Sequence, residues 1–311
     1  MKKIFLTGAT GFIGTNFLRY ALEQGFHVIA LTRNSKNKHS HDNLVWHKAD
    51  LGAEQNWKKI LDNVDIIVNI AGEVLDEDRM QMVNLDSPLK LLNAAIDAGV
   101  DRWVQLSSVG AYGPAYKGII DENRSDNPIG RYEKTKSEFD VMLLEASKLS
   151  QIKVSIIRPS NVYGIGMTND SIFKLFNSIR NGYFAFIGPV GASANYIHVK
   201  DVVQALGLCL EHPNAVNQIF IVSAWATIEK MVSGLIQETG IKFPSRRLSF
   251  ALADWLSDKL KWIPNWPLTS SRVRALSMRC SYSTGKIEKE LGWKLTMPVE
   301  EGMIQLNKHF K

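Results

Sequence analysis

The stretch that decides the fold lies at the start of the chain and reads KIFLTGATGFIG from Lys3 to Gly14. It predicts a short apolar strand, a tight turn and the first residues of a helix. Gly8 suits the dihedral angles of the turn, Gly11 lets the backbone approach a pyrophosphate, and Gly14 allows the helix to pack closely on the strand. Because the helix N-terminus offers free N–H groups and a positive dipole end, the stretch predicts a dinucleotide site.

The alternation of apolar runs and helical patterns continues through the first two thirds of the chain. This alternation is typical of a parallel sheet covered by helices on both faces. We therefore predict an α/β fold with a doubly wound parallel sheet of the Rossmann type. The predicted strands are Lys3–Thr7, His27–Thr32, Leu44–Lys48, Ile66–Ile70, Trp103–Ser107, Val154–Ile157 and Gln218–Val222. The first predicted helix, Phe12–Gln24, is followed by Gly25, which suits a helix C-terminus.

Beyond about Tyr163 the alternation becomes irregular, with helices, prolines and aromatic residues. This pattern predicts a smaller, mostly helical substrate lobe made of two separated pieces, about residues 165–190 and 225–311. The dinucleotide-binding domain would then comprise residues 1–164 and about 191–224. The chain is expected to finish with an amphipathic helix from Val299 to about His309.

Composition narrows the class of protein. The 311 residues are 45% apolar and 22% charged, which is typical of a soluble globular protein. The net charge of +6 is modest and is not gathered into long runs, so we expect no nucleic-acid partner. Cys209 and Cys280 are far apart and lack CxxC spacing, so neither a disulfide framework nor a metal site is expected. With no stretch of about 18 apolar residues, the prediction is a soluble, cytoplasmic protein.

A phenol and an ammonium group lie four residues apart in YEKTK, from Tyr132 to Lys136, and therefore on one face of a helix. A nearby ammonium group favours the phenolate and should lower the tyrosine pKa from about 10 toward neutrality. Ser108, at the carboxyl end of the preceding strand, is placed to hold the reacting oxygen. Such a pair is common by chance on helices, but Ser108 and the glycine turn favour a catalytic role over simple packing.

The end of the second strand bears on the choice of cofactor. An acidic residue there would accept hydrogen bonds from the adenosine ribose and favour NAD. The chain has Arg33 instead, whose planar guanidinium suits a 2′-phosphate, with Lys36 or Lys38 adding charge. The alternative is a solvated basic loop. We predict NAD(P) as cofactor, with NADP favoured.

Together these motifs make the chain resemble an extended short-chain dehydrogenase/reductase of the NAD-dependent epimerase/dehydratase family. The TGxxGxxG motif is Thr7–Gly14, and the YxxxK pair is Tyr132 and Lys136. The other matching segments are LSSVGAYG (106–113), ADL (49–51), NIAG (69–72), Asn84, RPSNVYG (158–164), YIHVKD (196–201) and IEKELGW (287–293).

The resemblance implies roles for these residues. Tyr132 would be the general acid/base, Lys136 would lower its pKa and bind the nicotinamide ribose, and Ser108 rather than Ser107 would bind the substrate oxygen. Hydride would pass to or from C4 of the nicotinamide. The implied cofactor-binding residues are Gly8, Thr10, Gly11, Phe12, Ile13, Arg33, Asp50, Leu51, Ile70, Ala71, Gly72, Ser107, Tyr132, Lys136 and Pro159.

The resemblance also suggests a substrate class. Nucleotide-sugar epimerases of this family hold the nucleotide diphosphate with an asparagine at the Asn161 position and two arginines. The first arginine is missing, because Ala194 and Asn195 stand there, and the second would be Arg272 or Arg274. Burying a diphosphate with too few positive partners is costly, which weakens this interpretation. The leading hypothesis remains 4-epimerisation or keto-sugar reduction on a nucleotide-linked sugar, with Ser108 also contacting the substrate.

Two alternatives stay open. An NADPH-dependent reductase of a hydrophobic ketone, similar to the 3β-hydroxysteroid and dihydroflavonol branches, fits Arg33, the Trp-rich lobe and the missing arginine at position 194. A non-catalytic dinucleotide-binding protein is less favoured because Ser108, Tyr132 and Lys136 are all present.

The stretch Arg246–Trp266 is rich in Leu and contains Trp255, Trp262 and Trp266 among basic residues. We interpret it as a lobe helix that packs over the substrate pocket. The alternative is an interfacial helix that touches a membrane, and membrane contact is not expected. By family analogy we expect a homodimer formed by helices at about residues 80–98 and 131–147.

Overall fold

The computed structural model of the protein describes residues 1–34, 40–53, 55–262 and 268–310. Lys36 and Lys38, predicted to add charge beside the cofactor, and Trp266 of the Trp-rich stretch lie outside the described residues.

Within these residues the chain alternates strands and helices. The strands, in chain order, are β1 (Lys3–Thr7), β2 (His27–Thr32), β3 (Leu44–Lys48), β4 (Ile66–Asn69), β5 (Arg102–Leu106), β6 (Lys117–Ile120), β7 (Lys153–Pro159), β8 (Asn161–Tyr163), β9 (Phe186–Ile187), β10 (Ser193–His198), β11 (Gln218–Val222), β12 (Ala224–Thr227), β13 (Arg247–Leu248) and β14 (Arg279–Tyr282). The α-helices are α1 (Phe12–Glu23), α2 (Trp57–Ile60), α3 (Glu77–Gln81), α4 (Ser87–Asp97), α5 (Arg131–Leu149), α6 (Ser171–Arg180), α7 (Val199–Cys209), α8 (Ile228–Ile236), α9 (Phe250–Lys259), α10 (Ser270–Ala275), α11 (Gly285–Leu291) and α12 (Val299–Asn307).

The central sheet has the strand order β11-β7-β5-β4-β1-β2-β3, and every neighbouring pair is parallel. The predicted α/β fold with a doubly wound parallel sheet is therefore confirmed. The direction of winding reverses between β1 and β4, and ligands of such sheets bind outside the carboxyl ends of the strands at this reversal. The sheet thus predicts the position of the site.

Alternation along each strand divides the core between the two faces of the sheet. Ile4 and Leu6 of β1 pack with α1 and α7 in one hydrophobic cluster, whereas Phe5 packs with α4 and α5 in the other. Strand β4 repeats this pattern, with Ile67 on the side of Phe5. Since successive side chains of a strand point to opposite faces, helices must cover both faces to bury these apolar residues.

Strand bounds differ slightly from the predicted ones. Strand β7 extends past its predicted end because Arg158 and Pro159 pair with Ile221 and Val222 of β11. This extension brings Arg158 to the carboxyl edge of the sheet.

The smaller elements lie mainly in the second half of the chain. Strand β10 pairs antiparallel with β12 and parallel with β8, and β14 pairs with β6. Strand β9 pairs with β13, which joins the two pieces assigned to the substrate lobe. The two-lobe division remains a prediction, and the residues of its smaller lobe form short strands as well as helices.

No helix among the described residues combines the length and the apolar character that crossing a bilayer requires.

Candidate active site

A cavity of about 560 Å³ opens at the carboxyl edge of the sheet, beside the reversal between β1 and β4. A volume of this size suits a small organic ligand or cofactor. Most of the predicted cofactor-binding residues line it, namely Gly8, Thr10, Gly11, Phe12, Ile13, Arg33, Asp50, Leu51, Ile70, Ala71, Gly72, Ser107, Tyr132 and Lys136. Pro159, Ser108, Asn161, Arg272 and Arg274 are not among the lining residues.

The glycine turn forms one wall of the cavity. Gly8 has φ +69°, and a Cβ there would lie 2.7 Å from the backbone nitrogen of Ala71. A Cβ at Gly14 would overlap the carbonyl oxygen of Gly8, so the helix approaches the turn as closely as a glycine allows. Gly11 precedes α1 without a side-chain cap, and the first turn of α1 has no acidic residue. The free N–H groups at this helix end therefore suit an anionic group such as a pyrophosphate.

A buried polar chain fixes the strand ends beneath the cavity. The Thr7 hydroxyl donates to Asn69, whose amide nitrogen donates to Gln105 at 2.9 Å. The backbone N–H of Ala71 donates to the Thr7 hydroxyl at 3.2 Å. These bonds link β1, β4 and β5 at the place where their carboxyl ends meet. Since each buried polar group has a partner, the strand ends are held in register.

Asn84 connects the loop after β4 to helix α5, which carries Tyr132 and Lys136. It lies in a π-helical turn, Met82–Asp86, and exchanges two hydrogen bonds with the backbone of Glu73, at 2.8 and 2.9 Å. Its amide nitrogen also donates to the Thr135 hydroxyl at 3.3 Å. Thr135 directly precedes Lys136, so this asparagine fixes the distance between α5 and the floor of the cavity.

Two arginines stand at the end of the cavity next to β2. Arg33 lines the cavity, as the sequence indicates, and Arg79 lies 3.8 Å from Asp50 as an ion pair. No local sequence pattern indicates Arg79, because α3 is far along the chain from Arg33 and only the fold brings the two to one cavity. The other lining residues that sequence analysis did not single out as cofactor ligands are Gly14, Leu31, Thr32, Ala49, Glu73, Val74, Val83, Leu106, Val162, Met167, Thr168 and Asn169.

Tyr132 and Lys136 face the cavity from α5. Lys136 is 3% exposed, and burial lowers its pKa to about 8, while Asp140 acts in the opposite direction. Burial raises the pKa of Tyr132 to about 12, with Glu133 and Asp140 adding to this shift. The sequence predicted the opposite shift for Tyr132. In the structure, desolvation of the phenolate dominates, and Lys136 does not contribute to the shift.

Ser107 and Ser108 have different partners. The Ser107 hydroxyl lines the cavity but donates to the buried carboxylate of Asp140 at 2.6 Å. The Ser108 hydroxyl accepts from the backbone N–H of Gly110 at 3.0 Å and caps the short helical turn Val109–Tyr112. Ser108 can still donate its own proton, whereas Ser107 has already committed its proton to Asp140. Of the two hydroxyls, that of Ser108 therefore keeps a proton to donate, although Ser108 is not among the residues that line the cavity.

Behind Lys136 lies a buried ionic network that the sequence did not indicate. Arg158 donates to Asp140 at 3.0 and 3.1 Å and to Asp126 at 2.6 and 2.7 Å. Burial raises the pKa of Asp140, and Arg158 and the Ser107 hydroxyl oppose that shift. The second carboxylate oxygen of Asp140, Oδ1, is buried and has no hydrogen-bond partner among the described residues. Asp140 follows Lys136 by one helical turn, so its negative charge lies close to the ammonium group.

The predicted substrate residues are dispersed. Asn161 is exposed at the start of β8, and its amide nitrogen donates to the Asn195 carbonyl at 3.2 Å. Pro159 is buried in β7. Arg272 and Arg274 are exposed on α10, away from the lining of the cavity, so the structure does not place either at the diphosphate position. Asn195 itself is 8% exposed, and its Oδ1 lacks a partner within the described part of the chain.

Comparisons with known proteins show the family to which the chain belongs. Residues 4–223 match the model of the NAD dependent epimerase/dehydratase family. The chain is 26% identical to a UDP-glucose 4-epimerase of Vibrio cholerae, over 99% of this chain and 95% of that protein.

Solved structures show the same fold. A UDP-glucose 4-epimerase of Thermotoga maritima with UDP-glucose has a TM-score of 0.77 at 22% identity, covering 99% of this chain and 98% of that one. A UDP-glucuronic acid 4-epimerase of Bacillus cereus in complex with NAD also has a TM-score of 0.77, at 18% identity, with 99% of each chain covered.

Proposed function

This chain belongs to the NAD-dependent epimerase/dehydratase family and is an enzyme of the short-chain dehydrogenase/reductase type, and from that premise we propose that it acts on a nucleotide-linked sugar. The reaction would be 4-epimerisation or reduction of a keto-sugar. The observation that carries this proposal is that the glycine turn, Tyr132 and Lys136 line one cavity. The relatives in Vibrio cholerae and Thermotoga maritima are UDP-glucose 4-epimerases, which supports this substrate class.

The residues of the cavity fit a nicotinamide dinucleotide. The glycine turn and the uncapped N-terminus of α1 would hold the pyrophosphate, and Asp50 and Leu51 would flank the adenine. When bound, the nicotinamide would accept and return hydride at C4. Arg33 offers positive charge at the end where a 2′-phosphate would lie, and Arg79, which pairs with Asp50, lines the same cavity, so we propose NADP over NAD.

Three side chains would handle the substrate proton. Tyr132 would donate its proton to the substrate oxygen on reduction and remove it on oxidation, because its phenol lies at the cavity wall. Lys136 would stabilise the phenolate during oxidation and bind the nicotinamide ribose. Ser108 would donate a hydrogen bond to the same substrate oxygen. At neutral pH the phenol is protonated, since burial raises its pKa to about 12.

The test is a panel of UDP-, dTDP- and GDP-linked sugars and keto-sugars, together with hydrophobic ketones, incubated with the purified protein and NAD, NADP, NADH or NADPH and followed by NMR. We expect conversion at C4 of at least one sugar, faster with NADP. Tyr132→Phe should reduce turnover by about 10²- to 10⁴-fold and leave cofactor affinity nearly unchanged. The exposed Tyr116→Phe is the matched control and should keep wild-type turnover.

Several outcomes would contradict the proposal. Full turnover by Tyr132→Phe would remove this residue from the mechanism. Consumption of NADPH with a hydrophobic ketone, and no conversion of any sugar, would favour the reductase alternative instead.

We also propose a cytoplasmic homodimer. Both cysteines are buried and unpaired, which fits a reducing compartment. The outward face of α5 exposes Val141, and α5 and α4 are the helices that the resemblance assigns to the dimer interface. Light scattering that returned only the 34.9 kDa monomer would contradict the dimer.

A further inference from the structure

Helix α9 presents most of its apolar side chains to solvent. Only Ala253 and Ser257 are buried within it, whereas Leu252 is 45% and Trp255 56% exposed. Trp262, three residues past the helix, is 75% exposed. The sequence favoured a helix that packs over the substrate pocket, but no residue of α9 lines the cavity. Helices of globular proteins usually bury their apolar face, whereas these apolar side chains of α9 face solvent.

The exposed residues form a line along α9. Leu252, Trp255 and Lys259 follow each other at intervals of three and four residues, which places them on one side of the helix. Ala253 and Ser257, four residues apart, define the buried side, nearly opposite this line. Leu252 and Trp255 thus form an exposed apolar pair on the side of α9 that lies away from its buried residues, with Lys259 one turn further along.

Positive charge is concentrated in the same segment. Residues 242–274 contain seven basic and two acidic residues, in a chain whose net charge is +6. The seven basic residues are all exposed and are Lys242, Arg246, Arg247, Lys259, Lys261, Arg272 and Arg274. Arg247 forms an ion pair with Glu229, and Lys261 forms an ion pair with Asp258. This part of the chain therefore retains a positive field around the exposed tryptophans.

Exposed aromatic residues continue beyond α9. Arg246 donates to the carbonyl of Gly182, next to Tyr183, which is largely exposed. Phe243 is half exposed and stacks on Phe186 at 5.7 Å. Single exposed apolar residues are ordinary, but several on neighbouring segments indicate an interaction surface.

We propose that α9 and its basic flanks form a docking surface for an anionic lipid bilayer. Trp and Leu side chains would enter the interfacial region, where tryptophan is favoured, while the Lys and Arg groups would contact the lipid headgroups. The charge argues against a second copy of the chain as occupant, because a two-fold interface would bring two positive surfaces together. The surface lies outside the lining of the cavity, so docking does not depend on the proposed reaction.

Sedimentation with vesicles tests the proposal. The wild-type protein should bind vesicles that contain phosphatidylserine, bind phosphatidylcholine vesicles weakly, and dissociate at high salt. Lys259→Gln with Lys261→Gln should lower the partition coefficient by about 30-fold, or about 5-fold for each lost charge. Trp255→Ala with Trp262→Ala should reduce binding by at least about tenfold.

The matched control changes an exposed Lys–Leu pair elsewhere, Lys148→Gln with Leu149→Ser at the end of α5, and should bind as the wild type does. All variants should keep wild-type turnover on soluble substrates, since none of the changed residues lines the cavity. Failure of the wild type to bind anionic vesicles, or equal losses in the control, would overturn the proposal. Self-association that Trp255→Ala abolishes, without vesicle binding, would assign the surface to a second copy instead.

Discussion

Lys136 is almost fully buried at the wall of the cavity, and its neighbours decide whether its amino group keeps a positive charge. Burial lowers its pKa to about 8, and the carboxylate of Asp140 limits this shift. Asp140 is in turn held by Arg158 and Ser107. The ammonium group is therefore present below pH 8 and is lost as the pH rises through this value, while the Tyr132 phenol, with a pKa of about 12, stays protonated. An alkaline decline in activity near pH 8 would report Lys136.

We predict that Asp140→Asn moves this decline to lower pH. Asparagine keeps the shape and the hydrogen-bond acceptor of Asp140 but removes the negative charge, so the neutral form of Lys136 is favoured. If the midpoint of the alkaline decline moves down by one pH unit, kcat/KM at pH 8.5 should be roughly 5- to 10-fold lower than that of the wild type. The measurement is the pH dependence of kcat/KM between pH 6 and 10.

Asp126→Asn is the control for this prediction. It also removes a charged partner of Arg158, but Asp126 does not contribute to the pKa shifts of Lys136 or Tyr132. The alkaline decline of its kcat/KM should match that of the wild type. If both variants shifted this decline equally, Asp140 would have only a structural role.

At the scale of elements, the glycine turn between β1 and α1 has two separate roles, in helix packing and in ligand binding. Gly14 allows the helix to approach the turn, since a Cβ there would overlap the Gly8 carbonyl. Gly11 leaves space for a ligand, because its Cβ would have only an ordinary contact, 3.4 Å from the same oxygen. Packing and ligand binding therefore depend on different glycines of one turn.

We predict that Gly14→Ala lowers the stability of the free protein by about 1–3 kcal/mol, as is usual when a methyl group is forced into a packed contact. Gly11→Ala should leave the melting temperature nearly unchanged but weaken cofactor binding, since its methyl group would face the pyrophosphate. Thermal unfolding without ligand and a fluorescence titration with NADPH separate the two effects. Equal melting temperatures for Gly14→Ala and the wild type would contradict the packing role.

At the scale of the whole molecule, one buried carboxylate helps to attach the last segment of the chain to the main sheet. Asp201 of α7 is fully buried and accepts from the backbone N–H groups of Thr296 and Met297, at 2.9 and 3.2 Å. The indole N–H of Trp293 donates to the backbone carbonyl of Asp201 at 3.1 Å. The segment that precedes α12 is thus fixed to a helix that packs on β5 and β7.

We predict that Asp201→Ala destabilises the protein by about 3–5 kcal/mol, because the N–H groups of Thr296 and Met297 lose their partner inside the protein. Asp101→Ala breaks an exposed ion pair with Lys153 and should cost under about 1 kcal/mol. Urea unfolding of both variants gives the comparison. Similar losses for the two would show that the Asp201 carboxylate does not hold the segment before α12.

The sequence determined the sheet, the glycine turn and the Tyr132–Lys136 pair, because these depend on periodicity and on spacings of a few residues. Strand alternation separates Phe5 from Ile4 and Leu6 whatever the rest of the chain does. Only the tertiary structure decided which distant groups meet at the site. Arg79 reaches the end of the cavity next to Arg33, Arg158 reaches Asp140, and α9 turns Trp255 outward. The pKa of Tyr132 follows from burial, which is a property of the packed molecule and has no signal in local sequence.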